Sequence, residues 1–250
     1  MGETAVAATR ACGYVNAGTV EMLLTPDGNY YFLEMNTRLQ VEHPVTEEVT
    51  GFDLVRLQLQ IASGEHLPFS QNEIVQRGHA IEVRIYAEDV PNGFLPSTGK
   101  LNRLRPAVGP GLREDSGMRE GSEISRFYDP MISKLIARAE SREATRLRMI
   151  RALREYEIVG VRTNIAFCRH ILESDAFARG EFHTRSVDSD FVAKYRAEIS
   201  ESGSDEPILV AAMARVLTRP SGSRESNPDS NHNVVAQWKV AGRKNSMRES

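Results

Sequence analysis

Two cysteines in 250 residues, Cys12 and Cys168, have no spacing for a zinc site or a redox pair. Their scarcity favours a reducing compartment, with packing roles for both thiols. An excess of charge of one sign is also missing. At a net charge of −3 there is no bulk electrostatic case for nucleic acid or an anionic membrane as partner. No run approaches the roughly 18 apolar residues of a membrane helix. The opening residues, MGETAVAATRACGYV, lack the apolar core of a secretory signal. No internal repeat is found. What remains is an ordinary balance, 40% apolar and 26% charged, sufficient for a folded core in one large domain or two small ones.

The stretch from Ala17 to Thr46 stands out. Two apolar runs, Val20–Leu24 and Tyr30–Met35, flank Pro26-Asp27-Gly28-Asn29. Asp-Gly between such runs predicts a hairpin with a two-residue type I′ turn. In that register Glu21 faces Glu34. Facing like charges are destabilising, so the pair implies a cation between them or a shifted pKa. Asn36 falls on the same face two residues on. Two carboxylates and an amide carbonyl are hard oxygen ligands of the kind that hold Mg²⁺ on nucleotide phosphates. If the backbone stays extended, Arg38, Gln40 and Glu42 continue that face. The opposite face, with Val20, Met22 and Leu24 against Tyr31, Leu33 and Met35, reads as a core face. A solvated sheet edge is the bland alternative, and the order acid, amide, base, amide, acid argues against it.

Along the chain, Thr4 to Cys12 reads as a helix feeding the hairpin. So short a lead into a site strand suggests a piece of a longer protein. Asp53 to Ser63 is an amphipathic helix with Asp53 as N-cap, Gly64 as stop, and Leu54, Leu57, Gln58 and Ile61 inward. A loop follows from Leu67 to Gln76. Gly78 to Glu88 alternates as a strand, Ile81, Val83 and Ile85 pointing one way and Ala80, Glu82, Arg84 and Tyr86 the other. Pro91 to Gly99 is a turn-rich loop. Strands are predicted at Lys100–Arg105, Leu112–Ser116 and Met131–Ala139. Helices are predicted from Ser141 to Glu155 and from Asn164 to Glu173. Beyond Ser200, a helix over Pro207–Arg219 is expected, then a linker from Pro220 to Asn233 and an apolar segment, Val234–Gly242, with the single tryptophan, Trp238. The fold class is α+β with a disordered tail.

The run EMNTRLQVEHPVTE resembles the signature of biotin-dependent carboxylases, specifically the biotin carboxylase branch of the ATP-grasp enzymes. RGHAIEVRIYAED, FLPSTGK, FYDPMISKLI and VGVRTN continue the resemblance, which covers roughly residues 2–192. It implies the C-terminal part of an ATP-grasp domain over residues 1–64, a biotin carboxylase C-terminal domain over 78–192, and a linker and tail over 200–250. It also implies that the family's N-terminal half, the Rossmann-like domain and the lid, is not in this sequence, and that the piece alone is inactive.

The family's reaction joins bicarbonate to biotin at the expense of MgATP. The resemblance implies metal positions, for Mg²⁺ or Mn²⁺, at Glu21, Glu34 and Asn36. It places the general base at Glu42, the active-site arginine at Arg38, and bicarbonate contacts at Gln40 and the backbone of Val41. Arg84 matches the arginine that contacts bicarbonate and stabilises the biotin enolate, a role like that of an oxyanion hole. The alternative for Arg84 is a strand ornament, paired with the neighbouring Glu82. Leu23 and Leu33 resemble positions lining the adenine pocket, although strict alternation puts them on opposite faces; a core role is the alternative. Tyr128-Asp129 resembles the biotin-side loop, and Arg113 a homodimer contact. His43, ahead of a proline, reads as structural.

The implied partners are a biotin carboxyl carrier protein, a carboxyltransferase subunit and a second copy through the C-terminal domain, with no nucleic acid and no membrane. The expected setting is an acyl-CoA carboxylase, such as the acetyl-CoA carboxylase of fatty acid biosynthesis, cytoplasmic or in the mitochondrial matrix. Competing readings are another ATP-grasp ligase, such as carbamoyl-phosphate synthetase, and a non-catalytic assembly module.

Overall fold

Helix α1 (Gly2–Ala11) leads into a hairpin of β1 (Thr19–Leu24) and β2 (Tyr30–Asn36) in this computed structural model, which describes residues 1–201. Two short helices follow, α2 (His43–Thr50) and α3 (Leu54–Ala62). Then come β3 (His79–Tyr86) and the small strands β4 (Glu88–Asp89), β5 (Leu95–Pro96), β6 (Gly99–Lys100) and β7 (Arg103–Arg105). After them lie β8 (Leu112–Ser116), β9 (Glu123–Ile124) and β10 (Met131–Ala139). The described part closes with α4 (Arg142–Glu155), β11 (Glu157–Val159), α5 (Ile165–Glu173), α6 (Asp175–Arg179) and α7 (Ser189–Glu201). The class is α+β. Residues Met1–Glu198 form one compact unit. The segments expected beyond Ser200 lie outside the described residues.

The central sheet has the order β3-β10-β8, antiparallel throughout. Its two faces follow from alternation. Val83 and Ile85 of β3, with Leu135 and Ala137 of β10, are buried in the main core with Met149, Ala152 and Leu153 of α4. Helix α4 starts where Ser141 caps it, its side chain accepting from the Ala144 amide. The other face carries Glu82 and Arg84, then Lys134, then Arg113 and Asp115, and α2 packs against β3 and β10. So one face of the sheet is a core wall and the other is charged.

The hairpin departs from expectation in three ways. Its loop has three residues between Thr25 and Asn29, whose amide and carbonyl are bonded at 2.9 Å, with Gly28 at φ +85°. A positive φ there suits glycine, as in a type I turn closed by a left-handed residue. That loop alone would set Glu21 off register with Glu34. An irregularity between Glu21 and Met22 corrects it, so that Leu23 faces Tyr31 while Glu21 still faces Glu34. Second, half of the expected core face is open: Leu24, Tyr31 and Leu33 (62%) are exposed while Val20, Met22 and Met35 are half-buried, and Leu23 (59%) and Phe32, not expected on that face, are exposed too. Alternation identifies an apolar face; it does not supply the element that covers it. Third, the extended backbone stops at Asn36, and Glu42 is the N-cap of α2. Cys12 is exposed, which corrects its expected packing role; α1 buries no residue and so offers it no core.

Candidate active site

The site forms where the end of the hairpin meets the charged face of the sheet. Glu21 and Glu34 are brought together as register pairs. The Asn36 amide lies between them, Nδ2 donating to Glu21 Oε1 at 2.8 Å and to Glu34 Oε1 at 3.3 Å. Gln40 Nε2 reaches the same Glu21 oxygen at 3.3 Å. Arg38 lies alongside, Nη2 donating to Asn36 Oδ1 at 3.5 Å and Nη1 to the Leu39 carbonyl at 3.3 Å. Two carboxylates and an amide form a hard-oxygen set, suited to Mg²⁺ or Mn²⁺ and unsuited to a soft metal. Two amide groups now satisfy the Glu21 oxygen that a cation would otherwise neutralise. Among the described residues no cluster of three or more His, Cys, Asp or Glu side chains has metal-binding geometry. The Asn36 amide presents its nitrogen to both carboxylates and its oxygen to Arg38.

Glu42 does not lie on the extension of β2. The chain turns after Asn36 and delivers Glu42 to the sheet, where Arg84 Nη2 donates to its Oε2 at 2.6 Å. Both side chains keep contact with solvent, at 39% for Arg84 and 52% for Glu42. The two residues are separated by 42 positions in sequence, and the pairing is charge-assisted and short. His43 Nδ1 lies 2.7 Å from the Gln40 carbonyl.

Lys134 is a site residue that sequence reasoning did not single out. It faces Arg84 on one side and Asp115 on the other. Its Nζ donates to the Val41 carbonyl at 3.1 Å and lies 3.3 Å from Asp115 Oδ2. The available signal was a lysine inside the apolar strand of FYDPMISKLI. Adjacent cations on one face repel, and three acids offset them: Glu42, Glu82 and Asp115. Asp115 is opposed by burial, yet the Arg113 guanidinium and the Lys134 ammonium hold its carboxyl below the usual range. Burial pushes Glu82 the other way, up to about 7, against the pull of Lys134 and Arg84.

Arg113 is engaged within the chain. Nη1 donates to Glu47 Oε2 of α2 at 2.7 Å, and Nε and Nη2 grip Asp115 at 2.8 and 2.9 Å. Tyr128 is almost fully exposed, and Asp129 Oδ1 accepts from the Met131 amide at 2.9 Å, shaping the loop that enters β10. No helix among the described residues is long and apolar enough to cross a membrane.

Residues 82–189 match the family described as biotin carboxylase C-terminal domain, and residues 1–70 match carbamoyl-phosphate synthase L chain, ATP binding domain. The chain is similar to a biotin carboxylase of Halalkalibacterium halodurans, 51% identical over 187 residues, 75% of this chain and 41% of that protein. It is also similar to the mitochondrial methylcrotonoyl-CoA carboxylase subunit alpha of Oryza sativa subsp. japonica, 46% identical over 201 residues, 80% of this chain and 27% of that one. Among solved structures, it is similar to the biotin carboxylase domain dimer of Hydrogenobacter thermophilus 2-oxoglutarate carboxylase in complex with MgADP, ADP and bicarbonate. There the TM-score is 0.72 at 46% identity, covering 74% of this chain and 41% of that one. The chain therefore spans about two fifths or less of the length of each.

Proposed function

We propose that the chain is part of a biotin carboxylase, an ATP-dependent ligase that forms a C–N bond, and that it supplies one wall of the site where biotin on a carrier protein is carboxylated from bicarbonate and ATP. Residues 1–64 are assigned to the ATP-grasp part and 78–192 to the C-terminal domain, in keeping with the two family matches. The observation that carries the reading is the 2.6 Å contact of Glu42 with Arg84, one turn of chain from the Glu21, Glu34 and Asn36 cluster.

In this reading Glu42 is the general base. Arg38 and Arg84 receive the anionic oxygens of bicarbonate, and Gln40 and the Val41 backbone position it so that its hydroxyl faces Glu42. The proton passes to a Glu42 oxygen, which cancels that carboxylate's hold on Arg84. The guanidinium is then available to negative charge developing on the ureido oxygen of biotin. Glu21, Glu34 and Asn36 would hold the divalent ion, which when bound neutralises phosphate oxygens and orients the transferred phosphoryl group. Leu23 and Leu33, both on the open face of the hairpin, would meet the adenine.

The acceptor is assigned to the acyl-CoA class, with a carboxyltransferase and a carrier as partners and a homodimer through residues 78–192. Similarity to the methylcrotonoyl-CoA enzyme supports the acyl-CoA; similarity to the 2-oxoglutarate enzyme makes a keto acid the competing acceptor. The setting is cytoplasmic, or the mitochondrial matrix in a eukaryote. Complementing the chain with a family N-terminal half should give ATP cleavage that requires both biotin and bicarbonate, and Glu42→Gln should abolish it. Cleavage unaffected by Glu42→Gln would overturn the assignment of the base.

A further inference from the structure

Glu82 is the one buried carboxylate on the charged face of the sheet that the mechanism leaves unused. Its side chain is 5% exposed. Neither carboxylate oxygen has a hydrogen-bond partner among the described residues. Leaving such a group unpaired opposes folding, so a persistent case calls for a reason. The nearest cation is Arg84, two residues along the same strand, whose Nε lies 4.0 Å from Glu82 Oε1. The same guanidinium spends its Nη2 on Glu42. Arg84 therefore stands between two carboxylates, in hydrogen-bond contact with one and just short of it with the other.

We propose that Glu82 is a positioning residue of this site: it is the second acceptor for the Arg84 guanidinium, engaged when Glu42 takes up the bicarbonate proton and releases it. The inference rests on the reading of Glu42 as base. Without a second acceptor, an arginine released by Glu42 would be free to swing into solvent. With Glu82 beneath it, the guanidinium shifts by about an ångström, the difference between 4.0 Å and an ordinary hydrogen bond, and keeps its remaining donors toward the substrate. The charged groups acting on Glu82 are Lys134 on β10, Arg84 on its own strand, Glu42 at the start of α2 and Asp115 on β8. Helix α4 and the N-cap of α5 bond to β3 through the neutral Thr145 and Asn164. Burial raises the Glu82 carboxyl to about 7, so its charge is set within the range where such an enzyme works.

Two measurements test this. In the full 250-residue chain, carbon NMR of Glu82 and nitrogen NMR of the Arg84 side chain should report a common titration near neutrality. Glu42→Gln, which imitates the protonated base, should lower the Glu82 midpoint and slow exchange of the Arg84 Nε proton; the slowing separates capture by Glu82 from mere loss of the Glu42 charge. An Arg84 Nε signal indifferent to both Glu82 and Glu42→Gln would overturn the proposal. In the complemented enzyme, Glu82→Gln should lower kcat about tenfold, within the range of mispositioned catalytic groups, and remove the rise of kcat through pH 7 while leaving KM for ATP unchanged. Wild-type kinetics and pH profile in Glu82→Gln would also overturn it. An inactive complemented wild type would fail the functional reading alone, since the NMR measurement does not depend on turnover.

Discussion

Lys134 Nζ and the carbonyl of Val41 are joined at 3.1 Å across 93 residues of sequence, and this bond pins the Arg38–Glu42 turn to the central strand of the sheet. The ammonium is half of a larger arrangement, since the same Nζ neutralises Asp115 at 3.3 Å. Lys134→Met keeps the apolar stem and removes the charge. The Val41 carbonyl and Asp115 each lose a partner in a half-buried place, which should cost about 1–3 kcal/mol of unfolding free energy. Urea unfolding of the wild type and the variant measures it. In the complemented enzyme the loosened turn should raise KM for bicarbonate more than KM for ATP, because the Val41 carbonyl and not the Glu21, Glu34 and Asn36 cluster has lost its anchor.

Arg113 makes a different kind of join. Its guanidinium connects β8 to α2 through Glu47, which is 8% exposed and whose other oxygen accepts from the Leu54 amide at 2.7 Å, at the start of α3. Truncating Arg113 leaves a buried carboxylate without its cation. Because the guanidinium itself is a third exposed, the loss should be smaller than for a fully buried pair, about 1–3 kcal/mol. A double-mutant cycle of Arg113→Met and Glu47→Gln separates the pair from its surroundings. Coupling near zero would mean that Asp115, not Glu47, is what Arg113 serves.

Much of this fold is visible in the sequence because it is local. Alternation marked β3; β8 and β10 were expected as short strands, and Ser141 marked the start of α4 within a residue. Helix α2 was not visible. Its sequence HPVTEEVT is rich in β-branched residues with poor intrinsic helix propensity, and it is held by packing on β3 and β10. The types of the candidate site residues came from the motif; the facing of Glu21 and Glu34 was expected from a two-residue turn that does not form, and holds only because the irregularity after Glu21 offsets the three-residue loop. The relation of the site residues to the sheet was not legible, because Arg84 meets Glu42, and Lys134 meets Val41, through long-range register that no local pattern encodes. The Leu33 position shows a smaller failure of the same kind: one irregularity breaks strict alternation, and the conflict between Leu23 and Leu33 was a consequence of assuming it.

The two thiols should behave oppositely. Cys12 is exposed at the end of α1, while burial pushes the Cys168 thiol up to about 12, with a smaller contribution from Glu88. Thiolate is the reactive form, so at pH 8 a thiol reagent should modify Cys12 in the native chain and reach Cys168 only on unfolding. Mass spectrometry of the labelled peptides reads the order. Rapid native labelling of Cys168 would mean that α5 opens readily.

Glu82 also makes a prediction about stability that is independent of catalysis. Its carboxyl is at about 7 in the folded chain against an ordinary value of 4.5, raised chiefly by burial. Between those values the folded state holds a proton that the unfolded state has lost. Unfolding then releases a proton, and stability falls as pH rises. Below pH 4.5 both states are protonated and above about 7 both are ionised, so the slope is confined to that window. Its full span corresponds to roughly 3 kcal/mol for a shift of this size. Asp115, held low by Arg113 and Lys134 against its burial, acts in the opposite sense, and only at more acid pH: its contribution is present above the ordinary carboxylate value and is lost as pH falls through its depressed one. Chemical denaturation at pH 5 and pH 7.5 should therefore find the wild type less stable at the higher pH. Glu82→Gln, which cannot ionise, should remove that decline and be the more stable protein at pH 7.5. An unchanged pH slope in Glu82→Gln would place the Glu82 proton outside this range.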